Sequence, residues 1–170
     1  DKLGLAVALN GKGTVEHVLG ECATAETFYA DAAIAAESAG AGGVRAMARM
    51  GQLECFMRRS SHLDAVRALA RQAEAAVDSA GGDRPLRAVF DLNLVATAAP
   101  AGDLDRAIGR GAAARQVFAE QREARRVAVA SATEAGLRDF RNAPGDGERA
   151  IELYREVLAT TAAGFGDDHR

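Results

Sequence analysis

Apolar residues recur at helical spacing along most of the chain. Ala25, Tyr29, Ala32, Ala33 and Ala36 form one run, Ala65, Leu69, Ala73 and Val77 a second, and Ala150, Tyr154 and Leu158 another. Steps of three and four place such residues on one face of a helix. Each run is preceded by a turn-like pair whose first member lies five residues before an Ala: Gly20-Glu21 with Ala25, Ser60-Ser61 with Ala65, Gly102-Asp103 with Ala107, and Gly145-Asp146 with Ala150. The Ala-to-Ala steps are 40, 42 and 43, a period that points to stacked supersecondary units. In each pair Gly or Ser ends one helix and the acidic or hydroxyl residue caps the next. Gly40-Ala41-Gly42-Gly43 and Gly81-Gly82-Asp83-Arg84-Pro85 separate hairpins, with Pro85 placed at a helix start.

The pattern therefore predicts helices at about 3–19, 22–39, 44–59, 62–80, 85–99, 103–121, 125–142 and 147–163, paired into repeats at about 3–39, 44–80, 85–121 and 125–163. The third repeat is the least regular, because Gly109 and Gly111 fall inside its second helix at a cost of about 1 kcal/mol each relative to Ala. No Gly or Pro occurs from Ala112 through Ala135, so the break between Arg122 and Arg126 rests on the period alone. One long helix is the alternative there.

Composition sharpens the fold class. Forty of the 170 residues are Ala, 5% are aromatic and none is Trp, so buried surface must come from many small, close helix contacts. With 48% hydrophobic and 26% charged residues the chain is neither disordered nor collagenous nor a coiled-coil rod. An all-α chain is expected. The 24 acidic residues outnumber the 21 basic ones, which gives no electrostatic case for nucleic acid. Charges interrupt every stretch that approaches the ~20 apolar residues of a membrane span. The start shows no signal-peptide pattern, and Cys22 and Cys55 lack CxxC or other zinc-ligand spacing. A cytoplasmic chain with no membrane contact is expected. The start at Asp1 and the closing GDDHR suggest a fragment of a longer protein.

The segments GECATAETFY and GDGERAIELY carry a Gly-acidic-x-x-x-Ala-x-x-x-aromatic pattern. It resembles the helix-turn-helix core of tetratricopeptide repeats, and the spacing with the closing FGDDH resembles the kinesin-light-chain-like subclass of large bacterial regulators. The resemblance implies an α-solenoid of about four antiparallel helix hairpins, a right-handed superhelix whose first helices line a concave face. Gly20, Ala25, Tyr29, Ala65, Leu69, Gly102, Ala107, Gly145, Ala150 and Tyr154 are then the repeat-packing residues. Departures occur where Gly13 takes the small-residue position, since Lys12 and Glu16 then replace apolar residues. Ser60-Ser61 replaces Gly-Asp in the second repeat, and Gly111 replaces an aromatic or Leu in the third.

Catalytic chemistry is not legible. His17, His62 and His169 are isolated in sequence, without HExxH or a His pair at i and i+4. The GxG segments follow helix-like rather than strand-like sequence, so they do not form phosphate loops. Arg122, Arg125 and Arg126 alternate with Glu120 and Glu123 as on a solvated helix face. No enzyme, metal, cofactor or nucleic-acid function is expected.

A binding surface is the remaining reading. Met47, Met50 and Met57 lie at spacings of three and seven, and methionine suits surfaces that accept varied apolar partners. Under the repeat phasing they face the groove with Asn10, Thr14 and His17 of the first repeat and Val89, Leu92, Asn93 and Ala96 of the third, with Glu54 and Asp139 as polar orienters. The equal alternative for the methionines is packing between hairpins. The Lys/Arg/Asn clamp for a C-terminal carboxylate is not recognisable at Asn10, Met50, Asn93 and Ala135. The expected occupant is a protein or peptide segment, another domain of the same chain or a second copy. The expected role is regulatory or sensory within a larger bacterial signalling or transcription-control protein. The alternatives are homo-oligomerisation and a small-molecule pocket between the second and third repeats.

Overall fold

The computed structural model describes residues 1–60, 62–81, 83–101 and 103–165, without the side chains of 96–101 and 162–165. The fold is all-α. Eight helices follow one another among these residues: α1 (Lys2–Val18), α2 (Cys22–Ser38), α3 (Gly42–Arg59), α4 (Leu63–Ser79), α5 (Arg84–Ala101), α6 (Leu104–Glu120), α7 (Ala124–Arg141) and α8 (Asp146–Phe165). Two compact units are distinguished, Asp1–Phe90 and Asp91–Arg170, and their division falls within α5. No described helix is long and apolar enough to cross a membrane.

Neighbouring helices pack in sequence order. In the first unit α1 lies against α2, α2 against α3, and α3 against α4, and α1 also reaches α3. Its core is built from small residues: Ala32, Ala33 and Ala48 pack together with Leu9 against them, while Cys22, Ala25, Tyr29 and Cys55 form a second cluster. In the second unit α6 lies against α7 and α7 against α8. There Val95, Ala107, Ile108 and Leu137 form one cluster and Ala135, Ala150 and Leu153 another. Alanine allows helix axes to approach closely, so many small dispersion contacts add to those of the buried Leu53, Phe90, Phe118 and Leu153.

The disputed break exists, and its chemistry explains why no glycine marks it. α1 and α2 end with Gly20 (φ 87) and Gly40 (φ 65), and α6 ends with Arg122 in the same left-handed region (φ 59). The closing hydrogen bonds match: Glu21 N–H donates to Glu16 carbonyl, Ala41 N–H to Ala36 carbonyl and Glu123 N–H to Phe118 carbonyl, each 2.9 Å. This is the helix-ending turn that glycine favours, here made by arginine. Gly109 and Gly111 do not interrupt α6, which runs unbroken from Leu104 to Glu120. The Lys12 ammonium lies 4.2 Å from the centre of the Phe28 ring, a cation–π contact between α1 and α2.

Candidate functional site

The densest set of chemically capable groups lies where α1, α2 and α3 meet in the first unit. Tyr29 of α2 is its centre, 4% exposed, with its ring between two glycines. A Cβ on Gly13 of α1 would stand 2.8 Å from two ring carbons, and one on Gly51 of α3 would be closer still. Glycine at both positions is what lets the three backbones close around the ring. The Tyr29 hydroxyl donates to Thr14 Oγ1 at 3.4 Å, and burial raises its pKa.

One turn along, His17 Nδ1 lies 3.7 Å from Glu54 Oε2. Gly13 with Gly51 and His17 with Glu54 step in the same direction along both helices, so α1 and α3 run parallel, side by side. Burial lowers the pKa of His17, and the Arg58 charge lowers it further. Burial raises Glu54, against the pull of Arg58.

Two thiols complete the cluster. Cys22 opens α2 and Cys55 stands on α3, 7% and 0% exposed. Burial pushes the Cys55 thiol up to about 12, with the neighbouring Cys22 thiol and the carboxylates of Glu26 and Glu54 adding to the rise. One ligand atom from each of His17, Cys22 and Cys55 lies within 4.8 Å of the others. Glu26 follows Cys22 by one helical turn. One of its oxygens sits 3.2 Å from an Arg59 guanidinium nitrogen, and the other is buried with no hydrogen-bond partner. The spacing of residues 17, 22 and 55 carries no ligand signature, which is why sequence reasoning treats His17 as isolated and leaves both cysteines out. The repeat phase was the available signal, since it puts the end of α1, the start of α2 and the last turns of α3 at one end of the stack.

The residues expected to line a groove are placed unevenly. Thr14 and Met47 are exposed, Met47 by 44%, while Asn10, His17, Glu54 and Met57 are half-buried. Met50 corrects the expectation of a shared methionine surface: it is 5% exposed, packed into the first unit and shut off from a partner. Val89 is half-buried in the first unit. Leu92 and Asn93 are half-buried and Asp139 exposed in the second. The side chain of Ala96 lies outside what the structure describes, as do Gly102 and His169.

Of the packing residues, Ala25, Tyr29, Ala107 and Ala150 are buried and Ala65 and Leu69 half-buried. Gly20 and Gly145 provide left-handed turns, with φ 87 and 84. Tyr154 departs from the expectation, being 42% exposed. Arg122, Arg125 and Arg126 are exposed, and Arg126 pairs with Glu123 at 2.7 Å.

The second unit holds a different polar cluster, around Asp146 at the start of α8. Asp146 is 2% exposed and accepts hydrogen bonds from Arg141 (2.8 and 2.5 Å), Arg138 (3.3 Å) and the Ala143 N–H (3.0 Å). The Arg141 guanidinium beside it holds the carboxyl down to about 2. Arg138 also donates to buried Glu134 at 3.0 Å, and Arg141 reaches Asp105 of α6. With Arg115 3.4 Å from the other Glu134 oxygen, three carboxylates face three guanidinium groups, the arrangement expected of a clasp between helices.

Comparison with models of known protein families and with curated protein sequences finds no match to this chain.

Proposed function

We propose that the chain is an interaction module of the tetratricopeptide kind, which holds a protein segment with apolar anchors on the first-helix face of its hairpins. The observation that carries this reading is the parallel, side-by-side placement of α1 and α3. On these two helices Thr14 and Met47 are exposed and Asn10 and Glu54 half-buried, which offers a flexible apolar contact together with hydrogen-bonding groups. Such a surface suits an extended or helical segment whose apolar side chains provide affinity and whose backbone is oriented by polar neighbours. Binding is the whole mechanism, and it fits a regulatory part of a larger signalling or transcription-control protein.

Met47 is the position to test, because Met50 is buried and its replacement by a charge would disturb the core. A displayed peptide library panned against the chain should yield segments with apolar anchors. Met47→Glu should weaken them by about tenfold or more, the loss expected when a hot-spot contact is removed, with circular dichroism unchanged. Recovery of no binders, or of binders indifferent to Met47→Glu, would overturn the reading.

A further inference from the structure

The junction of α1, α2 and α3 holds chemistry that segment binding does not use. An imidazole and two thiols, drawn from three helices, converge with one ligand atom each inside 4.8 Å. Nitrogen and sulfur donors in this ratio form zinc sites, and thiolate sulfur selects soft or borderline ions over magnesium or calcium. We propose that His17, Cys22 and Cys55 together bind a single zinc ion.

The surroundings support the assignment from two directions. The Glu54 carboxylate stands 3.7 Å from His17 Nδ1, on the side from which a carboxylate orients a metal-bound imidazole. Glu26 brings a buried carboxylate oxygen with no hydrogen-bond partner among the described residues, one turn from Cys22.

The binding step balances. Cys22 and Cys55 are free thiols. On uptake Zn²⁺ forms two Zn–S bonds, one bond to the His17 nitrogen and a fourth to a water molecule, and the two thiol protons leave to solvent. The two thiolates cancel the charge of the ion, so the buried centre ends neutral where isolated thiolates would be costly. Because the ligands come from α1, α2 and α3, the ion would tie the first hairpin to the second.

The test uses the full chain, reduced and stripped of metal, titrated first with Co²⁺ as a spectroscopic probe and then with Zn²⁺. One Co²⁺ per chain should bind, with near-ultraviolet sulfur-to-cobalt charge-transfer absorption and intense tetrahedral d–d bands that Zn²⁺ abolishes. Cys22→Ser and Cys55→Ser should each diminish the charge-transfer absorption, and His17→Gln should remove stoichiometric binding. His17→Gln alters a half-buried side chain and leaves the thiol core intact, which keeps the test valid if Cys55→Ser fails to fold. Glu54→Gln should weaken zinc by about tenfold, the usual effect of losing an orienting carboxylate. Absence of charge-transfer absorption in the folded, reduced chain would overturn the proposal. So would unchanged binding in both His17→Gln and Cys22→Ser, or a Cys22–Cys55 disulfide on air oxidation in a chain that takes up no metal when reduced.

Discussion

Tyr29 and Tyr154 occupy the same place in the repeat pattern, four residues after a motif Ala on a second helix, yet their surroundings differ. Tyr29 is 4% exposed, with Gly13 of the preceding helix on one side of its ring and Gly51 of the following helix on the other. Tyr154 is 42% exposed and meets Gly136 of α7 only through its hydroxyl, which would stand 3.7 Å from a Cβ there. Gly13 and Gly136 each lie five residues before the end of their helix, so the local setting is alike. A motif aromatic becomes core only where a third helix closes over it with a residue small enough to admit the ring. The repeat pattern specifies the position, and the neighbour decides how much energy it carries.

The sharpest way to break this comparison is to remove the rings. Tyr29→Ala should cost about 3–5 kcal/mol, the range for a fully buried aromatic, and Tyr154→Ala well under that. Hydrogen exchange of α1–α3 amides for the first and α7–α8 amides for the second would read each effect within its own unit. Equal losses would contradict the comparison.

Adding a methyl group tests the same contrast from the other side. Gly51→Ala would drive a Cβ into the Tyr29 ring, which is held by both helices, and should destabilise by about 1–3 kcal/mol despite alanine's better helix propensity. Gly136→Ala meets only ordinary contact and should stabilise by up to about 1 kcal/mol. Thermal melts of the two variants should shift in opposite directions.

Acid should separate the two polar clusters by a smaller margin. The carboxyl of Asp146 is held to about 2 in the folded chain against 3.8 ordinarily, so the unfolded chain takes the proton first. Its stabilisation is present above about pH 4 and is lost as pH falls from there toward 2. His17, whose pKa is lowered by burial, acts in a higher window: protonation favours the unfolded chain as pH falls below its ordinary 6.5. Loss of α7–α8 protection between pH 4 and 2 should therefore be absent in Asp146→Asn. Weakening of α1–α3 should already begin below pH 6.5 and be absent in His17→Gln. An unaltered acid profile in either variant would remove that residue from the account.

Much of the fold was legible because helical punctuation is local. Gly20, Gly40 and Pro85 act within a few residues of themselves, and the observed helix ends lie close to those the pattern predicts. The break at Arg122 was legible only as a period, since an arginine there adopts the left-handed turn that glycine makes elsewhere. The site was far less legible. The methionine spacing gave a common helical phase, but Met50 turned out buried and Met47 exposed, because α3 packs against α2 and α4 as well as α1. The meeting of His17, Cys22 and Cys55 had no spacing to announce it.

What the sequence by itself determined is the all-α class, the number and order of helices and the alanine-rich faces, because each follows from propensity, helix-ending turns and periodicity within one or two turns, although Glu21 and Asp103 make no side-chain cap. What only the tertiary structure decided is which of those faces meet. Whether Tyr29 is sealed and Tyr154 open, whether Asp146 is clasped by two arginines, and whether an imidazole stands among two thiols all depend on contacts between helices. The physical reason is range: backbone hydrogen bonding and helix propensity act over about four residues, whereas burial, and the shifts in proton affinity it causes, are properties of the assembled neighbours.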